Sequence, residues 1–258
     1  MGTRTDNRTR LLLVISLLLN LLFLSLATVQ IQNRGGLPYL VSVFSRYIGK
    51  APIEQTQYSP LDTPRYRERV SIFSTSPATA QIVFLGDSLV ERAEWAEFFP
   101  GTGAVNRGIG GDTTEGVLKR LDQLGLKPGK SGRVFLYIGI NDLLSGIPEA
   151  KILANYQGIL SHLKSMRIAG ITVFGLLPVN TGLCRPYRTG ISQKINTDIL
   201  HLNKGLERLA SDLDIKFIGL YGHFADSTGG LRAEFTFDGL HLNGKGYLKW
   251  VAILRNEL

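Results

Sequence analysis

Residues 82–90 read Ile-Val-Phe-Leu-Gly-Asp-Ser-Leu-Val. The run Ile82–Leu85 has no polar position, as a strand buried on both faces requires. Gly86 and Asp87 end the run, and Ser88 falls where a helix would start. A side chain placed there stands at the carboxyl end of a strand, with its own backbone N–H unused by the ladder. Outward from this stretch the same alternation recurs. Ala104-Val105, Val134–Ile138, Thr172–Leu177 and Lys216–Ile218 read as further strands. Thr114–Leu124, Pro148–Arg167, Ser192–Leu213 and Gly244–Leu258 show helical periodicity. Strands alternating with helices predict an α/β fold, a parallel sheet covered on both faces in a three-layer α/β/α sandwich. Ligands in such sheets bind beyond the carboxyl ends of the strands.

Short polar motifs follow the strands in order. Gly86-Asp87-Ser88-Leu89 follows the first, Asn106-Arg107-Gly108-Ile109-Gly110-Gly111-Asp112 the second, and Gly139-Ile140-Asn141-Asp142 the third. Asp238-Gly239-Leu240-His241 comes near the end. A serine hydroxyl is a weak nucleophile until a base takes its proton. Asp238 and His241, three residues apart across a glycine turn, can place the carboxylate on one ring nitrogen and leave the other to face Ser88. The sequence lacks the Gly-x-Ser-x-Gly elbow around Ser88, so a different turn holds the serine. Asp87 reads as a structural hydrogen-bonding residue. Asn106 and Thr113 read as scaffold for the Gly111 loop, and Asp142 as a cap.

These four blocks, in this order and spacing, resemble the GDSL, or SGNH, family of serine hydrolases over about residues 79–258. The family's signature residues fall on Ser88, Gly111, Asn141 and His241, and its acidic partner on Asp238. The resemblance implies a five-stranded flavodoxin-like sheet in the order 2-1-3-4-5. It implies catalysis by Ser88, Asp238 and His241, with the Gly111 N–H and the Asn141 side chain in an oxyanion hole completed by the Ser88 N–H. It implies a carboxylic ester hydrolase that needs no cofactor. The block Gly108–Thr113 is similar to the platelet-activating factor acetylhydrolase-like branch, which points to short acyl groups. The substrates implied are lipid acyl esters or O-acetyl groups on sugars, small or polymer-borne. A thioesterase, a membrane-tethered O-acyltransferase and a non-catalytic binding module on the same fold are the competing readings. No metal is expected: Asp87, Asp112 and Asp142 could cluster, but no histidine shares their motifs.

The chain has 258 residues, 44% apolar and 19% charged, with a net charge of +8. No dense Lys/Arg cluster or nucleic-acid motif accompanies that charge, so nucleic acid is not an expected partner. The single cysteine, Cys184, excludes an intramolecular disulfide and a cysteine-based zinc site.

Residues 11–29 are an uncharged apolar run. As a helix this run would be about 28 Å long, close to the hydrocarbon thickness of a bilayer. Arg4, Arg8 and Arg10 precede it and only Arg34 lies close behind, which favours a cytoplasmic N-terminus and an exported remainder. Its length favours an uncleaved anchor over a signal peptide cut after Ala27. The expected organisation is a basic N-terminus (1–10), the apolar helix (11–29), a connector (30–78) and the hydrolase domain (79–258). The location would be membrane-anchored with the catalytic domain periplasmic or extracellular, or secreted if cleaved. Leu40–Tyr47 could form an amphipathic helix, and Thr63-Pro64 starts a capped helix just before the first strand. Residues 180–190 read as a loop that shapes the substrate pocket. Oligomeric state is not encoded in any of these features.

Overall fold

The computed structural model describes residues 7–33, 63–76, 80–126, 129, 132–184, 191–192 and 194–255. The expected amphipathic helix over Leu40–Tyr47, most of the connector, residues 185–190 of the pocket loop and the last three residues lie outside that set. The chain divides into two compact units, Met1–Tyr58 and Ser59–Leu258.

In the first unit α1 spans Asn7–Asn33. Its stretch Leu11–Val29 is apolar enough and long enough to cross a membrane. The leucines along it are exposed on every side, so the helix buries no stripe of its own.

The second unit begins with α2, Pro64–Thr75. Pro64 occupies the first helical position, and the Thr63 side chain accepts from the Tyr66 N–H at 3.1 Å. Both are start signals read from the sequence. Tyr66 and Phe73 of α2 are buried with Ile109 in a small cluster of their own. The compact unit therefore starts at Ser59 and includes a helix that the sequence reading assigned to the connector.

Among the described residues, β1 (Ile82–Gly86), β2 (Ala104–Gly108), β3 (Arg133–Tyr137), β4 (Gly170–Phe174) and β5 (Lys216–Ile218) form one sheet. Its order is β2-β1-β3-β4-β5, and every pairing is parallel. Every residue of β1 is buried, as expected of a central strand covered on both faces. The connections carry short helices α3 (Ser88–Glu91), α4 (Trp95–Phe98), α5 (Thr114–Lys119) and α6 (Ile140–Leu144). Longer helices follow, α7 (Glu149–Ser165) and α9 (Ile195–Asp212). Between and beyond them lie α8 (Thr181–Cys184), α10 (Tyr221–Phe224) and α11 (Gly244–Arg255). The core is aromatic on one side. Phe84 stacks on Trp95 with ring centroids 3.9 Å apart, and Trp250 of α11 meets Trp95 edge-on at 5.6 Å.

Several elements differ from the sequence reading: within the loop expected over 180–190, Thr181–Cys184 is the short helix α8, and β2 runs on to Gly108. The helix expected over 114–124 stops at Lys119 and continues as a 3-10 turn, Leu121–Gln123. At the break, the side chain of Arg120 turns inward to Asp112 and the Gly86 carbonyl. The strand expected over 172–177 is Gly170–Phe174 instead. Residues 176–179 are still buried, but side chains satisfy their backbone. Asn203 of α9 accepts from Leu176 N–H and donates to Leu176 O, and Asn196 does the same for Val179. Periodicity and hydrophobicity cannot distinguish such a segment from a strand, because the burial is the same and only the hydrogen-bond partner changes.

Candidate active site

The motifs converge at the carboxyl edge of the sheet. Asp87 is the N-cap of α3: its side chain accepts from the Leu89 N–H at 2.9 Å. That leaves Ser88 at the first helical position, where a backbone N–H has no intrahelical acceptor. The hydroxyl of Ser88 lies 3.0 Å from His241 Nε2. The other ring nitrogen, Nδ1, lies 2.6 Å from Asp238 Oδ2. Asp238 Oδ1 accepts from the backbone N–H groups of His241 at 2.8 Å and Leu240 at 3.0 Å. Burial pushes the Asp238 carboxyl up, but the hydrogen bonds from the His241 ring and the two amides prevail and hold it at about 2. An ionised Asp238 places the proton on Nδ1, which leaves Nε2 to accept a hydrogen bond from the Ser88 hydroxyl.

The Asp238–His241 turn needs its glycine. Gly239 has φ of +81°, and a Cβ there would lie 2.4 Å from the Asn180 carbonyl oxygen. Beneath it, Asn180 N–H donates to Gly239 O at 2.8 Å, which seats the turn on the start of α8.

Gly111 sits in the loop after β2 with φ of +80°. No atom lies within 4 Å of where its Cβ would be. The left-handed backbone at this position favours glycine. Among the described residues, neither the Ser88 nor the Gly111 N–H meets a protein acceptor. Asn141, at the start of α6, donates one side-chain hydrogen to the Asp112 carbonyl at 2.9 Å, which ties it to the Gly111 loop. The second hydrogen of that amide is left for another acceptor.

The expected scaffold residues are placed as follows. Asn106 accepts from Gly108 N–H at 2.9 Å and donates to the carbonyls of Val90, Glu91 and Ala93, joining β2 to the segment after Ser88. Thr113 caps α5, accepting from Gly116 N–H at 3.2 Å. Asp142 caps that same helix and not its own turn: it accepts from Thr114 N–H and from the Thr114 hydroxyl at 2.6 Å.

Two charged residues were absent from the sequence reading. Arg120 is buried and pairs with Asp112 at 2.8 Å. Glu91 accepts from Gly110 N–H at 2.7 Å. Glu91 lies one helical turn after Ser88, which was a legible signal. Arg120 gave none, because its position on the helix expected over 114–124 is indistinguishable from a solvated one.

Burial pushes the Asp87 carboxyl up to about 8, against the hydrogen bond from Leu89 N–H, and Asp112 and Asp142 add repulsion. The folded protein thus keeps a proton that the unfolded chain releases above its ordinary value of 3.8. Stability falls as pH rises across that window, since the native state binds more protons than the unfolded one. Asp112 is pushed up to about 6, with burial prevailing over its pairing with Arg120, so it contributes to the slope only at the acid end. Between pH 6 and 8 the slope belongs mainly to Asp87. The Asp87→Asn variant keeps the acceptor for Leu89 and cannot ionise. Across that interval the wild-type melting temperature is expected to fall by about 5 °C more than that of the variant. Equal slopes in the two melting series would refute the assignment.

A model of the GDSL-like Lipase/Acylhydrolase family matches residues 84–249. Human platelet-activating factor acetylhydrolase IB subunit alpha2 is 31% identical over 174 residues, covering 65% of this chain and 71% of that protein. A Streptococcus pneumonia structure solved as a candidate platelet activating factor superposes with a TM-score of 0.67 at 27% identity, covering 85% of this chain and 98% of that one. A GDSL-like lipase from Bacteroides thetaiotaomicron shares the fold, with a TM-score of 0.60 at 23% identity over 75% of this chain and 95% of its own. The family match spans the sheet from β1 to α11 and all four motifs, and the chain belongs to the GDSL-like lipase/acylhydrolase family of hydrolases.

Proposed function

We propose that this chain is a serine carboxylic-ester hydrolase acting through Ser88, His241 and Asp238. The observation that carries the reading is the unbroken chain of contacts from Ser88 Oγ to His241 Nε2 at 3.0 Å and from His241 Nδ1 to Asp238 at 2.6 Å. His241 takes the Ser88 proton as Oγ attacks the ester carbonyl. The tetrahedral oxyanion is met by the N–H groups of Ser88 and Gly111 and by the Asn141 side chain. The imidazolium, paired with ionised Asp238, then protonates the leaving alcohol. Water activated by the same nitrogen attacks the acyl-enzyme and frees the acid, restoring Ser88.

The likeness to the platelet-activating factor acetylhydrolase subunit supports a short acyl group on a lipid alcohol. We further propose that α1 tethers the enzyme to a membrane, with the arginine-rich end cytoplasmic and the hydrolase domain exported.

The test is turnover of a p-nitrophenyl ester series from acetate to palmitate by the full chain in detergent, followed by a glycerophospholipid carrying an acetyl ester and by acetylated xylan. Hydrolysis that peaks at acetate or butyrate and extends to the lipid is expected. A peak at long chains would replace the acyl assignment, and turnover of the xylan alone would move the alcohol to a sugar. No turnover of any ester by the folded chain would favour acyl transfer or a binding role.

A further inference from the structure

The loop that carries Gly111 contains two consecutive glycines, Gly110 and Gly111. Such a pair has the widest backbone freedom of any dipeptide, so its N–H directions must be held from outside. Glu91 supplies one hold. It is the last residue of α3, three positions after Ser88, and its side chain is only 13% exposed. One carboxylate oxygen, Oε2, accepts from Gly110 N–H at 2.7 Å. The other, Oε1, faces two guanidinium groups of α2: it pairs closely with Arg65 and lies 3.5 Å from Arg69.

Arg69 reaches further. Its Nη2 donates to the Gly108 carbonyl at 3.4 Å, so one ion-pair cluster grips the loop at Gly108 and at Gly110. The helix that presents these arginines is itself fixed. Tyr66 donates to the Gly116 carbonyl at 3.0 Å. The Phe73 ring lies 4.6 Å from the Arg69 guanidinium and 4.8 Å from that of Arg107.

We propose that Glu91 is a positioning residue that holds the Gly110–Gly111 backbone in the orientation needed for oxyanion donation, with Arg65 and Arg69 turning its carboxylate toward the loop. The inference rests on the Gly111 role proposed above. Glu91 touches no reacting atom. Its loss removes no donor, but lets the Gly111 N–H sample directions away from the oxyanion. The expected signature is therefore in kcat and not in KM.

The experiment compares Glu91→Ala, Glu91→Gln, Arg65→Ala/Arg69→Ala and the triple variant in the full chain. It measures kcat and KM on a short p-nitrophenyl ester, and exchange of the Gly110 amide proton. Glu91→Ala is expected to lower kcat about 10–100-fold with KM within about twofold, less than outright loss of an oxyanion donor. Glu91→Gln keeps an oxygen for Gly110 N–H and is expected to recover kcat to within about fivefold of wild type. The paired arginine substitutions should cost about 3–10-fold alone and less than about twofold more on the Glu91→Ala background, since both arginines act on Gly110 through Glu91 and only the long Arg69 contact to Gly108 lies outside that path. Gly110 exchange should quicken in Glu91→Ala.

A Glu91→Ala enzyme with kcat within about twofold of wild type overturns the proposal, as does a glutamine variant as slow as the alanine one. If Glu91→Ala does not fold, the arginine pair decides: unchanged kcat overturns the inference. Asn141→Ala separates the two levels. A slow Asn141→Ala beside a fast Glu91→Ala removes only the Glu91 inference, while a fast Asn141→Ala removes the oxyanion reading beneath it. Gly110 exchange unaltered by Glu91→Ala overturns the inference whether or not any ester is turned over.

Discussion

Replacing Ser88 by alanine is expected to lower kcat on the order of 10⁶-fold while leaving the fold intact. In the proposed mechanism Ser88 Oγ forms the acyl bond, and it lies 3.0 Å from His241 Nε2. Alanine is a good helix former at the first position of α3. The cap that starts this helix is Asp87, which the substitution does not touch. The lost contact to His241 is a single hydrogen bond, worth about 1 kcal/mol. The melting temperature should therefore barely move while turnover vanishes. The same test can be made without a substrate: a fluorophosphonate probe should label the wild type and not Ser88→Ala. His241→Ala should be nearly as slow, and the double variant no slower than either single one, because nucleophile and base act as a unit. Full labelling of Ser88→Ala would place the nucleophile elsewhere.

Asp238→Asn is expected to cost about 10⁴ in kcat with little change in KM. The reason lies in which way the new amide must face. Asp238 Oδ1 accepts from two backbone N–H groups, those of Leu240 and His241. An asparagine must keep its oxygen there, since the opposite orientation would set an NH₂ group against two donors. Its NH₂ then faces His241 Nδ1, at the position where Asp238 Oδ2 now accepts at 2.6 Å. That nitrogen can only accept, so the proton moves to Nε2, and the ring can no longer take the proton of Ser88. The geometry survives and the chemistry stops. Acid stability carries a second readout. The folded carboxyl is held at about 2, below its ordinary 3.8, so its ionised form stabilises the fold above pH 4 and that contribution is lost as pH falls toward 2. The asparagine variant should lose less stability on acidification over that interval. An Asp238→Asn enzyme that keeps more than about a tenth of wild-type kcat would remove Asp238 from the mechanism.

Much of this architecture is legible in the chain. Ile82–Leu85 has the unbroken apolar character of a central parallel strand, and the alternation of such runs with amphipathic ones selects an α/β sheet. The start of α2 at Thr63-Pro64 is local chemistry and was read as such. The four motifs mark the loops where a site would assemble, because each follows a strand or forms a turn.

Other features depend on distance in space. Whether residues 176–179 pair with a strand or with side chains is decided by Asn196 and Asn203, 17 residues beyond Val179 and 27 beyond Leu176. Which helix Asp142 caps is decided by where Thr114 comes to lie, 28 residues earlier. The register of Ser88 against His241, 153 residues apart, follows from packing the last turn onto Asn180. Sequence alone determined the order of strands and helices, the apolar N-terminal helix and the identity of the polar groups at the strand ends, since these follow from local periodicity and residue chemistry. Only the tertiary structure decided which of those groups meet, how the Gly110–Gly111 backbone is held and which carboxyls are forced to keep a proton, because hydrogen-bond distance and burial depend on residues remote in the chain.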